Sequence, residues 1–200
     1  MKIVVATSNA NKIIEIKDVL KDSGYEIISM HEAGIEADIE ETGSTFEENA
    51  LTKARFIAKV TGETAIADDS GLEIDFLDRQ PGILSARYGG EETPYSIKNN
   101  MILEKLNGVP FEQRKARYIC SMAVVMKNGE EYVVTRTLEG YIGFEAKGDN
   151  GFGYDPIFYL PEYDKTVAEI DLSLKNRISH RGKALTDLAD ILKKKIVVEE

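Results

Sequence analysis

Short apolar runs alternate along the chain with stretches in which apolar residues recur every three or four positions. The run 2–6 predicts a β-strand, and residues 13–20, with isoleucine, valine and leucine at helical spacing, predict a helix that Gly24 ends. A second apolar run over 25–30 predicts another strand. A polar loop over 7–11 separates the first strand from the helix, so the chain is expected to begin with a strand–loop–helix–strand unit.

The next part of the chain is predicted to contain a helix and a buried strand. The segment 36–43 is acidic and is expected to be irregular. Thr45 and the glutamate three residues later have the spacing of a capping box, and the helix that they open is expected to reach about residue 61. The small apolar residues 65–67 predict a buried strand, and Ser70-Gly71 predicts a turn after it.

The second half of the chain continues the mixture of helices and strands. Asn128-Gly129 lies between two apolar runs and is a strong hairpin signal. The predicted elements are a helix over 93–107, strands over 117–126 and 132–138, and a last helix over 179–195, with loops over 78–90 and 148–156. Because strands and helices mingle and a hairpin is present, we predict an α/β fold with a mixed β-sheet.

Length and composition agree with a globular enzyme or binding protein. The 200 residues suit one domain, 1–200, or two closely packed lobes, and 42% hydrophobic with 30% charged residues is typical of soluble proteins. The sequence has no apolar run near the ~18 residues of a membrane span and no signal peptide, so we expect a cytoplasmic protein. Its single cysteine, Cys120, excludes an internal disulfide and is expected to be buried in a strand.

The net charge of −10 argues against one class of partner. A polyanion such as DNA or RNA would be repelled over most of such a surface. Small phosphate compounds remain possible ligands, because a local group of cations and a metal ion can override the distant field.

Two adjacent acidic residues, Asp68 and Asp69, follow the predicted buried strand. Neighbouring carboxylates at such a position cost free energy unless a cation offsets their charge. Mg²⁺ on a phosphate substrate is one such cation, and it takes one or two carboxylates, which Asp69 and one of Glu40 and Glu41 can supply. The alternative is an acidic strand end and an acidic loop that face solvent.

The polar loop before the first helix offers donors to an anion. Backbone N–H groups at a helix start attract phosphate, the side chains of the loop add hydroxyl and amide groups, and Lys12 adds charge. The glycines of a P-loop are absent. The alternative is an ordinary helix cap formed by Ser8, Asn9 or Asn11.

A glycine-rich and aromatic segment, 151–156, has features of a base-binding loop. Its glycines allow close approach of a ligand to the backbone, Phe152 and Tyr154 offer planar faces, and Asp155 can accept a hydrogen bond from a ring N–H. The alternative is a tight turn whose aromatic side chains pack into the core.

A basic segment, 179–182, begins the last helix, and Lys175 lies just before it. His180 and Arg181 can donate to a phosphate or to a carbonyl oxygen, although a capped helix with exposed basic residues is the commoner outcome. Together with the three preceding segments, these residues indicate phosphate donors, a metal and a base pocket, which describes a nucleotide site.

Eight segments spread along the whole chain match, in order, the motifs of one known family. They are 6–12 (ATSNANK), 40–43 (EETG), 45–50 (TFEENA), 53–55 (KAR), 67–72 (ADDSGL), 81–88 (PGILSARY), 151–156 (GFGYDP) and 179–182 (SHRG). On these segments the chain resembles the inosine/xanthosine triphosphate pyrophosphatases, which hydrolyse nonstandard purine nucleoside triphosphates. Ser8 stands where the family commonly has glycine, and its small side chain is expected to fit.

The resemblance implies an α/β fold on a long mixed β-sheet flanked by helices, with two lobes and an active-site cleft between them. It implies a homodimer and a Mg²⁺-dependent reaction. The substrates would be ITP, dITP and XTP, which are removed from the nucleotide pool as the monophosphate and pyrophosphate. No nucleic acid polymer or membrane is expected as a partner.

A mechanism consistent with these residues assigns Asp69 to orient and deprotonate the water that attacks the α-phosphorus. Glu41 and Asp69 are expected to hold Mg²⁺, with Asp68 in support. The groups expected to grip the triphosphate are Thr7, Ser8, Asn9, Ala10, Asn11, Lys12, Lys53 and Ser70, with Arg87 and Lys175 as further contributors.

Base choice follows from donors and acceptors on the purine. Asp155 can accept from N1–H of a 6-oxopurine, and Arg181, His180 or a backbone N–H can donate to O6. Gly153 and Tyr154 are also expected to contact the substrate. Adenine would mismatch both groups, and such a mismatch can give about 10⁴-fold discrimination. Phe152 is expected to stack on the ring. This logic leaves the rejection of GTP unexplained, because guanine shares N1–H and O6.

Three other functions are alternatives to a nonstandard purine triphosphate pyrophosphatase. A nucleotide sensor without catalysis would need no water-activating carboxylate, and Asp68-Asp69 argue against it. A nucleic-acid-binding module conflicts with the net charge. A pyrophosphatase for pyrimidine or modified nucleotides on a related fold is the nearest rival among enzymes.

Overall fold

The computed structural model, which describes residues 2–196, has the predicted strand–loop–helix–strand unit at its start. Strand β1 (Lys2–Val5) is followed by helix α1 (Ala10–Leu20) and strand β2 (Glu26–Ser29). Asn9 caps α1, because its Oδ1 accepts hydrogen bonds from the backbone N–H groups of Asn11 and Lys12. β1 and β2 pair in parallel, as a connecting helix requires.

Helix α2 (Phe46–Thr61) also begins and ends where the sequence predicts. Thr45 Oγ1 accepts a hydrogen bond from Glu48 N at 3.2 Å, and Gly62 ends the helix in the left-handed conformation, with φ 67°. The buried face of α2 carries two polar residues, Asn49 and Lys53, among its apolar ones.

The turn predicted at Ser70-Gly71 is wrong. Strand β3 (Thr64–Ile74) runs through both residues, and Leu72 and Ile74 beyond them are fully buried. The local preference of Ser-Gly for a turn is therefore outweighed by the burial of the apolar residues that follow. Ser85 Oγ accepts a hydrogen bond from Leu72 N at 2.8 Å, which satisfies a buried donor of the extended chain.

The second half of the chain contains the predicted hairpin and more elements than expected. The elements are strand β4 (Gln80–Pro81), helix α3 (Tyr95–Lys105), strands β5 (Lys115–Val125), β6 (Glu131–Ile142), β7 (Phe158–Leu160) and β8 (Lys165–Thr166), and helices α4 (Leu172–Ile178) and α5 (His180–Ile196). The connection between β5 and β6 turns at Asn128-Gly129, where Gly129 N donates to Met126 O. The predicted loop 78–90 contains β4 and a short 3₁₀ helix (Gly82–Leu84), and β7, β8 and α4 were not predicted.

The mixed β-sheet is confirmed. Within residues 2–196 the sheet has eight strands in the order β2-β1-β3-β5-β6-β7-β8, with β4 paired to β3. β1 is parallel to β2 and β3, whereas β4 is antiparallel to β3, and β7 is antiparallel to β6 and β8. Helices flank the sheet, as the α/β prediction requires.

The chain forms two compact units. Unit 1 comprises residues up to 69, residues 120–136 and residues from 180 onward, and unit 2 comprises residues 70–119 and 137–179. In unit 1, successive residues of β1 enter different cores, as the alternation of a strand dictates. Ile3 and Val5 pack with side chains of α1 and α5, whereas Val4 packs with side chains of α2.

Unit 2 has its own core, and that core contains a buried arginine. Its apolar cluster combines side chains of β3, α3, β5, β6 and β7 with side chains of the connecting segments. Arg114 donates to the backbone oxygens of Leu106, Ile142 and Gly143, so a buried cation satisfies three carbonyl groups.

Two further observations bear on the sequence analysis. Cys120 lies in β5 and is completely buried, as predicted. Burial raises the pKa of its thiol to about 12, which is typical of an inert structural cysteine. In the described part of the chain, every helix is too short or too polar to cross a membrane.

Candidate active site

Asp68 and Asp69 are consecutive residues of β3, so their side chains point to opposite faces of the strand. Asp68 contacts the side chains of α1 and α5, with Lys12 Nζ at 2.9 Å and Arg181 Nη2 at 3.2 Å. Asp69 contacts side chains of α2 instead, with Asn49 Nδ2 at 3.0 Å and Lys53 Nζ at 3.7 Å. The two carboxylates therefore have separate surroundings within unit 1.

The surroundings of Asp68 hold it ionised. Burial raises the pKa of Asp68, but the charges of Lys12 and Arg181 outweigh burial, and the pKa lies well below its ordinary value. Arg181 also pairs with Glu15 of α1 through Nη1, so one buried guanidinium joins two carboxylates. Asp68 is thus a fixed anion at the centre of a buried ion-pair network.

The surroundings of Asp69 raise its pKa above the ordinary value. Burial raises the pKa of Asp69, and the nearby charge of Glu41 raises it further, against the lowering effects of Lys53 and Asn49. Adjacent carboxyl groups whose pKa values are driven apart are typical of sites that divide structural and acid–base roles. Burial and neighbouring charges thus move the pKa values of Asp68 and Asp69 in opposite directions.

Glu41 and Asp69 are suited to share a cation. Lys53 Nζ lies 2.5 Å from Glu41 Oε1 and 3.7 Å from Asp69 Oδ1, so an ammonium group already lies within reach of both. No three acidic, histidine or cysteine side chains among residues 2–196 converge as a metal cage. Two carboxylates nevertheless fit Mg²⁺, which commonly takes one or two carboxylates and completes its shell with water and substrate phosphate. Glu40 is exposed, which favours Glu41 as the partner of Asp69.

The polar loop before α1 is ordered by its own hydrogen bonds. Thr7 Oγ1 accepts from Asn9 N at 3.2 Å, and the Asn9 side chain accepts from the amides of Asn11 and Lys12. Two of the amides predicted to grip phosphate, those of Asn9 and Asn11, therefore already have partners inside the loop. Ser8, Ala10 and Asn11 are exposed, so what the loop presents to an anion is chiefly its hydroxyl and amide side chains.

A second polar group lies in unit 2, around Asp155. Asp155 Oδ1 accepts from Tyr118 Oη at 3.1 Å, while Oδ2 accepts from Lys175 Nζ at 2.7 Å and from Phe152 N at 2.9 Å. Lys175 Nζ also lies 4.6 Å from the centre of the Phe152 ring. Because burial and the neighbouring carboxylate both raise the pKa of Tyr118, its hydroxyl remains a donor to Asp155 at neutral pH.

The neighbouring loop residues support this group. Tyr154 is buried in the core of unit 2, and its hydroxyl donates to Ser85 O at 2.7 Å. This agrees with the alternative that its ring is a packing element. Gly153 O accepts from Asn99 Nδ2 at 3.2 Å, so the loop is tied to α3. Phe152 is half-buried, which leaves part of its ring accessible.

The predicted site residues fall into both units. Unit 1 contains Thr7, Ser8, Asn9, Ala10, Asn11, Lys12, Glu41, Lys53, Asp68, Asp69, His180 and Arg181, and unit 2 contains Ser70, Arg87, Phe152, Gly153, Tyr154, Asp155 and Lys175. His180 is the buried first residue of α5, and Ser70 follows Asp69 in β3. Arg181, predicted to donate to a purine oxygen, donates to the carboxylates of Asp68 and Glu15 in unit 1.

The sequence analysis missed three residues of these groups, Glu15, Asn49 and Tyr118. Two carried a usable signal, because Glu15 lies beside Ile16 on the inner face of α1 and Asn49 lies one helical turn before Lys53 on the inner face of α2. A polar residue on an apolar helix face requires a buried partner. Tyr118 carried no such signal, since tyrosine is common in strands.

Comparisons with known proteins agree with these observations. The model of the Ham1 family matches residues 3–191. The dITP/XTP pyrophosphatase of Desulforamulus reducens is 46% identical over 200 residues and covers 100% of both chains. That of Bacillus subtilis is 46% identical over 189 residues, which are 94% of this chain and 96% of the relative.

Solved structures of Ham1 proteins also resemble this chain. A HAM1 protein from Coxiella burnetii superimposes with a TM-score of 0.88 at 42% identity, over 97% of this chain and 99% of the other. The Ham1 protein of Staphylococcus aureus superimposes with a TM-score of 0.87 at 41% identity, over 98% and 100% of the two chains. Sequence and fold thus agree over almost the whole length, and the chain belongs to the Ham1 family.

Proposed function

We propose that this protein hydrolyses nonstandard purine nucleoside triphosphates, namely ITP, dITP and XTP, to the monophosphate and pyrophosphate. Full-length relatives that are dITP/XTP pyrophosphatases support the substrate class. The observation that carries the chemistry is the pair of carboxylates, Glu41 and Asp69, that share the ammonium group of Lys53. In this proposal the hydrolysis removes these nucleotides from the cytoplasmic pool.

The proposed cofactor is Mg²⁺, held by Glu41 and Asp69, with Asp68 in support through its hold on Lys12. When bound, the ion neutralises phosphate charge and lowers the pKa of water. Asp69 orients a water molecule toward the α-phosphorus and accepts its proton. Pyrophosphate is then the leaving group.

Cations of unit 1 neutralise the triphosphate in this proposal. Lys53 is buried and its pKa is raised, because the charges of Asp69, Asp68 and Glu41 outweigh the lowering effect of burial, so it remains cationic. Lys12 lies at the start of α1, where the hydroxyl and amide groups of the loop add donors. Ser70, Arg87 and Lys175 are proposed as further donors to the substrate.

The Asp155 group of unit 2 is proposed to select the base. Three donors, Tyr118 Oη, Lys175 Nζ and Phe152 N, hold the Asp155 carboxylate and fix its position. A carboxylate oxygen accepts more than one hydrogen bond, so Oδ1 can also accept from N1–H of a 6-oxopurine. Phe152 offers the stacking face, and Gly153 and Tyr154 complete the loop. His180 and Arg181 remain the proposed donors to O6.

A substrate panel tests this function. The purified protein is incubated with ITP, dITP, XTP, GTP and ATP, each with Mg²⁺ or with EDTA, and pyrophosphate and orthophosphate are measured separately. We expect pyrophosphate from ITP, dITP and XTP, no turnover in EDTA, and a kcat/KM for ATP at least about 10²-fold lower than that for ITP, because adenine mismatches an acceptor and a donor.

Reaction in H₂¹⁸O identifies the phosphorus atom that is attacked. Attack at the α-phosphorus places ¹⁸O in the nucleoside monophosphate, whereas attack at the β-phosphorus places it in pyrophosphate. Label in pyrophosphate, or orthophosphate as the first product, would contradict the proposed reaction. Pyrimidine triphosphates turned over faster than dITP would favour the rival pyrophosphatase.

We also propose that the protein is a homodimer, as the resemblance to its family implies. Light scattering coupled to size-exclusion chromatography is expected to give about twice the 22.3 kDa of one chain. A mass near that of one chain, unchanged over a hundredfold range of concentration, would rule the dimer out.

A further inference from the structure

Asn49 is completely buried on the inner face of α2, and its amide makes two hydrogen bonds. Its Oδ1 accepts from Gly43 N at 2.8 Å, and its Nδ2 donates to Asp69 Oδ2 at 3.0 Å. The backbone N–H of Gly43 can only donate, so the oxygen of the amide must face Gly43 and the nitrogen must face Asp69. The orientation of the donor toward the carboxylate is therefore fixed by a second, independent bond.

We propose that Asn49 is a positioning residue for hydrolysis, which fixes the rotation of the Asp69 carboxylate. The inference rests on the role proposed above for Asp69. The terminal torsion of an aspartate is soft, so a carboxylate without a directional partner samples many orientations. Asn49 engages Oδ2, while Oδ1 is the oxygen 3.7 Å from Lys53. The two oxygens are thus distinguished, and Oδ1 is directed toward the group that includes Glu41.

The helix and the loop both support this role. Asn49 and Lys53 are one turn apart on the buried face of α2, so one rigid element positions two partners of Asp69. Gly43, two residues after Glu41, must lack a side chain, because a Cβ there would lie 2.6 Å from Asn49 Oδ1 and 2.7 Å from Glu48 Cβ. The backbone that carries Glu41 is therefore held against the same amide that orients Asp69.

Asn49→Asp separates catalytic positioning from a merely structural role. The aspartate has the shape of asparagine and still accepts from Gly43 N, but it presents an oxygen instead of a donor to Asp69. We expect kcat for dITP at saturating Mg²⁺ to fall by about 10–100-fold, as is typical when a partner of a functional group is lost. Because no substrate contact changes, KM for dITP should change by less than about threefold.

Asn49→Ala supplies a readout besides turnover. It removes both hydrogen bonds, so the affinity for Mn²⁺, measured by electron paramagnetic resonance of the free ion, should weaken by about 10–100-fold. Asn49→Asp with kcat within twofold of wild type, or Asn49→Ala with wild-type Mn²⁺ affinity, overturns the inference. A normal kcat in Asn49→Asp would mean that Asn49 serves only to anchor Gly43.

Two further variants keep the test decisive. Thr45→Ala removes the cap of α2 without touching the amide, and it should lower the unfolding midpoint while kcat stays within twofold. If the Asn49 variants do not fold, Gly43→Ala replaces them, since its methyl group displaces the amide; normal kcat in that variant overturns the inference.

Asp69→Asn, assayed in parallel, separates this inference from the proposed function. If Asp69→Asn is inactive and Asn49→Asp is normal, only the positioning role fails. If Asp69→Asn turns over dITP at the wild-type rate, the proposed role of Asp69 fails and the inference fails with it.

Discussion

Asp69→Asn is expected to lower kcat for dITP by about 10²–10⁴-fold, the usual contribution of a general base. The substitution keeps the shape of the side chain and an oxygen toward Asn49, but it removes the group that accepts the proton of water. It should leave the fold intact. Burial raises the pKa of Asp69, so the neutral amide removes a buried charge, and Lys53 keeps Glu41 as an anionic partner.

Asp68→Asn is the matched control, because it makes the same chemical change one residue earlier. Asp68 lies in a network that lowers its pKa, and loss of its charge leaves the buried Arg181 and Lys12 with one anion fewer. We expect Asp68→Asn to lower the free energy of unfolding by about 3–5 kcal/mol, and Asp69→Asn to change it by less than about 1 kcal/mol.

The two variants are compared by single-turnover kinetics and by urea unfolding at pH 7. Equal loss of stability in both would show that the carboxylates have equivalent surroundings. Near wild-type turnover by a folded Asp69→Asn protein would remove Asp69 from the role of base.

The local chemistry of the sequence was sufficient to predict the elements whose signals agree with their packing. α2 has a cap at Thr45, a left-handed glycine at 62 and an apolar face, and each signal predicts the same helix. The hairpin at Asn128-Gly129 was equally well determined, since its turn chemistry matches the twist of the flanking strands. Burial of Cys120 followed from its place in an apolar run.

Failures occurred where long-range contacts decide the conformation. Ser70-Gly71 has turn residues, but the apolar residues after it belong to a core, and β3 stays extended. Strands β7 and β8 have three and two residues, which is too short for a periodic signal. α4 has seven residues and was not separated from the loop before α5.

The site shows the same division between local and long-range information. Motifs suggested Asp69, Glu41, Lys53 and Asp155 as candidate site residues, because their residue types are typical of such chemistry. The directions in which burial and charge move the pKa values of Asp68 and Asp69 depend on partners as distant in sequence as Arg181. Periodicity on α1 and α2 could have identified Glu15 and Asn49, but only the fold shows which groups they bind.

Arg181→Met is expected to lower the free energy of unfolding by about 3–5 kcal/mol at pH 7. The guanidinium is buried and pairs with Glu15 and Asp68, so its removal leaves two buried carboxylates with less compensating charge. Arg181→Lys keeps the charge and should recover part of the loss. Arg136→Met is the control, because the Arg136 pair with Asp187 is exposed and such pairs contribute about 0–1 kcal/mol.

The loss of unfolding free energy caused by Arg181→Met should also depend on pH, and the titration of Asp68 sets the direction. In the wild-type protein the pKa of Asp68 is lowered, so its stabilisation is complete above the unfolded value of about 3.9 and is lost only as the pH falls toward the folded value. Without Arg181, fewer cations oppose the effect of burial, so the pKa of Asp68 is higher in the folded variant than in the folded wild type. Asp68 of the variant therefore takes up a proton at a higher pH. The deficit should therefore be largest at neutral pH and shrink as the pH falls toward 4. Urea unfolding of the wild type, Arg181→Met and Arg136→Met between pH 4.5 and 8 measures it, and a deficit that grows as the pH falls would contradict the network around Asp68.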